Sequence, residues 1–409
     1  MMHGLPERAG QSAPSNTPEQ TDTVEEGIGI YLHIPYCLSK CPYCDFNSVA
    51  ASAWPEAEYV AALERELATY AQDEAFSGAH ISSVYFGGGT PSLFAPRSFE
   101  RILERIEQLW GLPSGVEVTI EANPGTVGFP KLAALRAAGI NRLSFGVQSF
   151  QPKYLALLGR IHSATEAIAA VEAASRSGFT NLNVDLIYAL PGQTEAEWED
   201  DLRQACALGP THISAYNLTY EEGTPFAAWR RNGRLVPVGE DTEIQLFQLT
   251  EHFLRARGYE RYEISNYARR HAACRHNLGY WKSSAYVGVG AGAHGFQPRG
   301  GLHGWGYRWA NERAPHRYLR AVEERGHARV AVEHRDRKTA AGEFVFLALR
   351  CVDGVNAAEY CRRFGQRIEE DFPVIAELEG SGLLEVTAQG WRLSSRGTLL
   401  ADSVFAHFL

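Results

Sequence analysis

From Gly27 onward the chain alternates short apolar, β-branched runs with longer amphipathic stretches. The short runs are GIGIYLHIP (27–35), ISSVYFGG (81–88), VEVTIEAN (116–123), RLSFGVQ (142–148), NLNVDLIYAL (181–190) and HISAYNLTY (212–220). Their length and residue types predict strands. Helix-length stretches lie between them, at 56–72, 96–110, 130–138, 163–177 and 194–208. Glycine follows two of these stretches, in AAGINRLS and SGFTNLN, where a helix hands over to a strand. Six strand–helix units predict an α/β fold with a parallel sheet and right-handed crossovers. Six are too few for a closed eight-unit barrel, so the expectation is an incomplete (β/α)6 barrel.

The alternation stops near residue 225. A helix fits 240–257, followed by YERYEISNYARRHAACRHNLGYW and the glycine-rich AYVGVGAGAHGF. Further helices are expected at 342–351, 356–364, 367–380 and 396–408. A short hairpin with a Gln-Gly turn, in LLEVTAQGWRLSS, separates the last two. Helices followed by a β wing predict a small C-terminal helical, winged-helix-like domain. The expected division is a disordered tail at 1–26, a partial barrel at 27–240, a connecting segment at 241–335 and a C-terminal domain at 336–409.

Composition narrows the function classes. The tail is rich in Ser, Thr, Pro, Gln and Glu and lacks the apolar core of a secretion signal. No apolar run is long enough to span a bilayer. The net charge of −9 argues against nucleic-acid binding, so the winged-helix-like unit is expected to pack rather than read DNA. Seven cysteines, an odd number in a chain of 409 residues, do not look like a disulfide framework. A reducing, cytoplasmic setting fits.

Three of those cysteines, Cys37, Cys41 and Cys44, fall in HIPYCLSKCPYCDFN at the end of the first strand. Three thiolates can hold three irons of a 4Fe–4S cubane and leave the fourth open to a small molecule. The alternative is zinc, which prefers four ligands in paired Cys-x-x-Cys units. Parallel α/β folds place chemistry at the carboxyl ends of their strands, and the other strand ends are polar or bare. The second ends in Gly87-Gly88-Gly89-Thr90-Pro91, which suits either close ligand approach or a tight turn. Glu121 ends the third strand and Gln148 the fourth, and Asp185 lies on the fifth; each could meet a ligand or cap a helix. Arg160 could fork onto a carboxylate or lie on the surface.

The ordered set YLHIPYC-x-x-x-C-x-x-C, GGGTP, IEANPGT, GVQSF and NVDLIYALPGQT resembles the radical S-adenosylmethionine (SAM) proteins. Within them it is similar to the oxygen-independent coproporphyrinogen III oxidase group, over residues 27–409. The resemblance implies a radical SAM barrel with a HemN-type C-terminal domain. It implies a 4Fe–4S cluster on Cys37, Cys41 and Cys44, with SAM on the open iron. Tyr31, Gly88, Gly89, Thr90, Glu121, Gln148, Arg160 and Asp185 would then contact SAM.

One position departs from the oxidases. They carry a fourth cysteine two residues after the third ligand, where this chain has Phe46, and the resemblance places that residue among the cofactor contacts. CDFNS, YEISNYA and HNLGYW resemble the HemW-type heme chaperones instead. That resemblance implies a protein that binds heme and delivers it to an acceptor apo-hemoprotein, a respiratory enzyme being one such acceptor, without oxidase activity. It points to His276 and Tyr280, in His276-Asn277-x-x-Tyr280, as heme ligands; the alternative is a hydrogen-bonded structural His276 near the barrel mouth, with Tyr280 in the core. Cys274, two residues away, is either a further thiolate ligand or an inert buried thiol, and the glycine-rich run around His294 suits either a flat ligand or a tight turn. An oxidase, or a radical SAM enzyme with another substrate, remains the alternative.

Overall fold

A computed structural model describes residues 27–409, and the tail expectation for 1–26 lies outside the described residues. Six parallel strands form the centre: β1 (Ile28–Ile34), β2 (Ile81–Gly88), β3 (Glu117–Ala122), β4 (Arg142–Gln148), β5 (Asn181–Tyr188) and β6 (His212–Asn217). They pair in sequence order. The expected strand positions agree to within a few residues at each end.

The strands alternate strictly, and the alternation builds the site. Ile30 and Leu32, Val84 and Phe86, Val118 and Ile120, and Leu143 and Phe145 pack outward in one core with the surrounding helices. The opposite faces carry Tyr31, Tyr85, Glu121, Ser144, Asn183, Asp185 and Ser214, which turn into the barrel. Fully buried parallel strands usually read as continuous apolar runs. A period-2 pattern in a parallel sheet therefore signals an interior kept polar. Capping boxes start two of the covering helices: Ser163 with Glu166, and Thr194 with Glu197.

Residues 241–335, expected to connect two domains, extend the sheet at both edges. On one side lie β7 (Glu260–Arg261) and β8 (Asn266–Ala268), antiparallel to β6. On the other, β9 (Tyr286–Val289) pairs parallel with β1, and β10 (His294–Gln297), β11 (Tyr307–Asn311) and β12 (Arg329–His334) continue antiparallel. The order of this 12-stranded sheet is β12-β11-β10-β9-β1-β2-β3-β4-β5-β6-β8-β7. The buried Glu66 carboxylate joins the extension to the helix Glu56–Gln72. It accepts from Gly290 N, Asn311 Nδ2, Tyr318 OH and Ala328 N.

The C-terminal unit has its own core of Phe344, Val345, Tyr360, Ile368, Ile375 and Val404, with a three-stranded sheet at its side. Its first helix, Arg337–Arg350, starts five residues before the expected 342, because Asp336 caps it by accepting from Thr339 N. The expected helix 367–380 divides around Pro373 into Ile368–Asp371 and Val374–Gly380. The expected 396–408 divides at Leu400 into Ser395–Leu399 and Ala401–Phe405. The Arg350–Glu263 ion pair, at 2.8 Å with Glu263 fully buried, fastens this unit to the barrel.

Candidate functional site

A cavity of about 960 Å³ runs from the carboxyl ends of the strands into the barrel. The cysteine loop forms its lip. Tyr36–Cys37 pairs with Val49–Ala50, so the residues between make a closed excursion. Tyr36 anchors its base, stacked on Trp54 and Phe94 with ring centroids 6.1 Å apart. Asn47 fixes its far end, donating to the carbonyls of Ala291 (2.8 Å) and Arg313 (2.9 Å).

Cys37, Cys41 and Cys44 are half-buried free thiols lining this cavity. Burial pushes the Cys37 and Cys44 thiols up. Two donors are nevertheless aimed at sulfur. Thr90 Oγ1 lies 3.4 Å from Cys37 Sγ, and Arg160 Nη1 lies 3.5 Å from Cys41 Sγ. The Thr90 contact lowers the Cys37 thiol against that burial. Three thiols on one loop, supported by a hydroxyl and a guanidinium, fit an iron–sulfur cluster. Among the described residues no three His, Cys, Asp or Glu side chains converge on one ion. Separate irons of a cubane do not need such convergence. Phe46 lines the same lip, 64% exposed.

The glycine loop packs directly against this lip. A Cβ on Gly88 would meet the His33 ring at 2.7 Å, and one on Gly89 would meet the Pro35 backbone at 2.7 Å. Gly89 N donates to Ile34 O and Thr90 N to Tyr36 O, each at 2.8 Å. The two sequence readings of this loop therefore combine. It is a tight junction, and Gly88, Gly89 and Thr90 also line the cavity.

Glu121 lies below, accepting from Tyr85 OH at 2.9 Å and from Gly88 N at 3.1 Å. Burial pushes its carboxyl up to about 7. Asp185 accepts from Ser144 Oγ (2.9 Å) and Asn183 Nδ2 (2.8 Å), and burial raises it too. Gln148 adopts φ 71° at a break in the β4–β5 register, a left-handed backbone that non-glycine residues rarely take. Arg160, for which the surface was the alternative, is turned inward and donates to Gly146 O at 2.6 Å. The cavity thus brings together the three cysteines, Phe46 and seven of the eight expected SAM contacts. Tyr31 is set apart. It stacks behind Tyr85, 6.1 Å between centroids, with its hydroxyl 3.0 Å from His33 Nδ1.

His276 and Tyr280 lie elsewhere. They belong to the helix Arg275–Trp281, which closes the opposite, floor end of the barrel beside the strand starts. Glu117, at the start of β3, accepts from Arg275 N (2.9 Å) and His276 N (3.3 Å) and caps that helix. His276 Nδ1 is 2.8 Å from Ser83 Oγ, and Nε2 is 2.8 Å from Tyr280 OH. The ring stacks on Tyr85 at 5.0 Å. Burial, with Arg142 nearby, pushes its pKa down to about 3. In this conformation neither ring nitrogen is open to a metal, whereas Asn277 does line the cavity. Cys274 is fully buried beside Glu117, and His294 is exposed on β10.

Sequence reasoning passed over two parts of the wall. One is the polar lining of Arg142, Ser144, Asn183 and Ser214, whose only signal is alternation within the strands. The other is the Thr398–Ser403 segment of the C-terminal unit, which closes one side of the cavity together with Arg350.

A partial parallel barrel with a three-cysteine loop at its carboxyl rim defines a radical SAM protein. The Radical SAM superfamily matches residues 31–205, and the HemN C-terminal domain matches residues 336–400. The coproporphyrinogen III oxidase HemN from Escherichia coli, a radical SAM enzyme, shares the fold. Its TM-score is 0.79 at 24% identity, over 94% of this chain and 90% of that one. The heme chaperone HemW of Escherichia coli (strain K12) is 35% identical over 392 residues, 93% of this chain and 98% of that protein. HemW of Bacillus subtilis (strain 168) is 33% identical over 382 residues, again 93% and 98%. The chain belongs to the HemW family. No helix among the described residues is long and apolar enough to cross a membrane.

Proposed function

We propose that this protein binds heme and transfers it to an acceptor apo-hemoprotein in the cytoplasm or at the inner face of a membrane. In this reading Cys37, Cys41 and Cys44 carry a 4Fe–4S cluster. Bound there, the cluster would supply an open iron for the amino and carboxylate groups of SAM. Gly88, Gly89 and Thr90 form the wall against which SAM would lie. Glu121 offers a carboxylate already oriented by Tyr85 and Gly88, and Asp185 offers one oriented by Ser144 and Asn183. Arg160 holds the Cys41 sulfur in a cationic setting. The observation that carries the reading is similarity to proteins named heme chaperones along 93% of the chain, from the cysteine loop through the C-terminal unit.

His276 and Tyr280 serve as heme ligands in this proposal only after a rearrangement, because Nε2 must release the Tyr280 hydroxyl before it can meet iron. The oxidase is the second reading, supported by the shared fold and opposed by Phe46 at the lip.

The test is anaerobic reconstitution of the cluster, then heme titration of wild type and His276→Ala by absorbance. Saturable one-to-one binding that is lost or spectrally altered in the variant supports the chaperone and places its ligand. Equal binding in the variant keeps the chaperone and moves the ligand to another residue. Sustained conversion of coproporphyrinogen III to protoporphyrinogen would sink the chaperone reading.

A further inference from the structure

Arg142 begins β4 at the floor of the barrel, turned inward and 1% exposed. Its guanidinium makes no hydrogen bond or ion pair with any described residue, and Nε is enclosed with no acceptor. Arg142 is among the residues that line the cavity. Other enclosed arginines in this chain are provided for. Arg335 meets Glu343 at 2.8 Å and the Trp305 carbonyl at 2.8 Å; Arg350 meets Glu263; Arg160 meets Gly146 O.

The acids nearest in the barrel are already engaged. Glu117 caps the floor helix, Glu121 holds Tyr85 and Gly88, and Asp185 holds Ser144 and Asn183. Burial opposes the Arg142 charge, while the field of its neighbours, Cys274 and Glu117 foremost, holds its pKa above the usual range. It is a cation at any ordinary pH. Enclosing a guanidinium without an acceptor is costly. The position makes physical sense when a ligand entering the cavity brings the acceptor.

We propose that Arg142 is the anion anchor of the cavity, taking a carboxylate of the bound ligand on its guanidinium fork at the floor end. A carboxylate matches the paired, planar donors of a guanidinium. The identity of the ligand rests on the function proposed above, which offers two carboxylate sources: a heme propionate and the methionine carboxylate of SAM. Depth favours the propionate. Arg142 lies six residues before Gln148 along a strand rising about 3.3 Å per residue, roughly 20 Å below the rim. The SAM carboxylate belongs at the open iron on that rim.

The test compares ligands that differ only in the carboxylate, on the reconstituted full chain. Heme is titrated against heme dimethyl ester, and SAM against decarboxylated SAM, with wild type, Arg142→Gln and Arg142→Lys. A charge-assisted pair predicts that wild type prefers the free acid by about 10–100-fold in one arm. Arg142→Gln should erase that preference and Arg142→Lys should keep part of it. The arm in which this happens identifies the source. Absence of a preference in wild type in both arms overturns the anchor without any variant. A preference for free heme that survives in Arg142→Gln overturns it as well, whereas the SAM arm counts only by the part of its preference that the variant removes, since iron at the rim also takes the methionine carboxylate. A thermal melt of Arg142→Met covers the structural alternative, in which Arg142 merely balances Glu117. A lowered Tm in Arg142→Met together with carboxylate preferences that survive in Arg142→Gln assigns the residue a structural role alone and overturns the anchor. Wild type that binds no heme refutes the chaperone reading separately, and the anchor then stands only if Arg142→Gln lowers the SAM preference below that of wild type.

Discussion

Adding one methyl group at Gly89 should unseat the cysteine loop. An alanine Cβ there would lie 2.7 Å from Pro35 C and O and from Tyr36 O. All three are backbone atoms, so no side chain can swing away. Ordinary contact begins near 3.4 Å, so the glycine loop or the Pro35–Cys37 segment must move by about 0.7 Å. The hydrogen bonds Gly89 N to Ile34 O and Thr90 N to Tyr36 O tie the two segments together, and the displacement therefore reaches Cys37. Overpacking of this kind costs about 1–3 kcal/mol. At about 2–4 °C per kcal/mol for a sizeable domain, the melt should fall by roughly 2–12 °C. Gly128→Ala is the control, since its Cβ would meet nothing within 4 Å and its φ is −139°. The assay is thermal melting together with iron and sulfide per chain after anaerobic reconstitution. Gly89→Ala should lose both stability and cluster, whereas Gly128→Ala, at the N-cap of the helix Phe129–Ala137, should keep its cluster and lose at most about 1 kcal/mol. Wild-type melting and full iron in Gly89→Ala would refute the coupling between the two loops.

The other predictions concern the acids and the cysteines. Each of Cys37→Ser, Cys41→Ser and Cys44→Ser should abolish stable cluster incorporation, read by iron content, whereas Cys206→Ser should leave it intact. Glu66→Gln places an amide among donors that need an acceptor, leaving two of them orphaned at about 1–3 kcal/mol each; a urea melt matching wild type contradicts this. Arg350→Ala leaves the fully buried Glu263 with only the Ser265 and Asn266 donors. Loss of that pair should weaken docking of the C-terminal unit by up to about 3–5 kcal/mol, and unchanged limited proteolysis near residue 336 would count against it. Glu121 also makes stability pH-dependent. Its carboxyl rises from 4.5 to about 7 in the folded chain, so the folded state holds an extra proton between those values. Stability should therefore fall as pH rises through that window, by up to about 3 kcal/mol before discounting for the cavity. Glu121→Gln should flatten the slope relative to wild type in melts at pH 5 and pH 8.

Much of the barrel is legible because its signals are local. Periodicity and glycine-ended helices locate six strands and their helices to within a few residues. The C-terminal unit is harder, since Pro373 and Leu400 break helices that the apolar pattern alone carries through. The edge strands are harder still. β7 has two residues and β8 three, and neither carries a strand pattern of its own. They are strands because β6 offers an open edge to pair with.

The candidate site divides the same way. Spacing within one loop determined that Cys37, Cys41 and Cys44 lie together, and the order of strands in a parallel fold determined that Gly88, Glu121, Gln148 and Asp185 line one cavity. Only the tertiary structure decided which side chains stand behind that rim and which lie at the far end. His276 sits in a sequence run that resembles a ligand motif. Its helix is nevertheless capped by Glu117, and both its ring nitrogens are engaged at the barrel floor. Arg142 reads as an ordinary polar residue at the start of a strand, yet closure of the barrel strips it of water and leaves it without an acceptor. Local sequence carries backbone preference and periodicity, which act over a few residues. Burial and pairing of charge depend on elements more than a hundred residues apart, and they come into being only when the sheet closes around them.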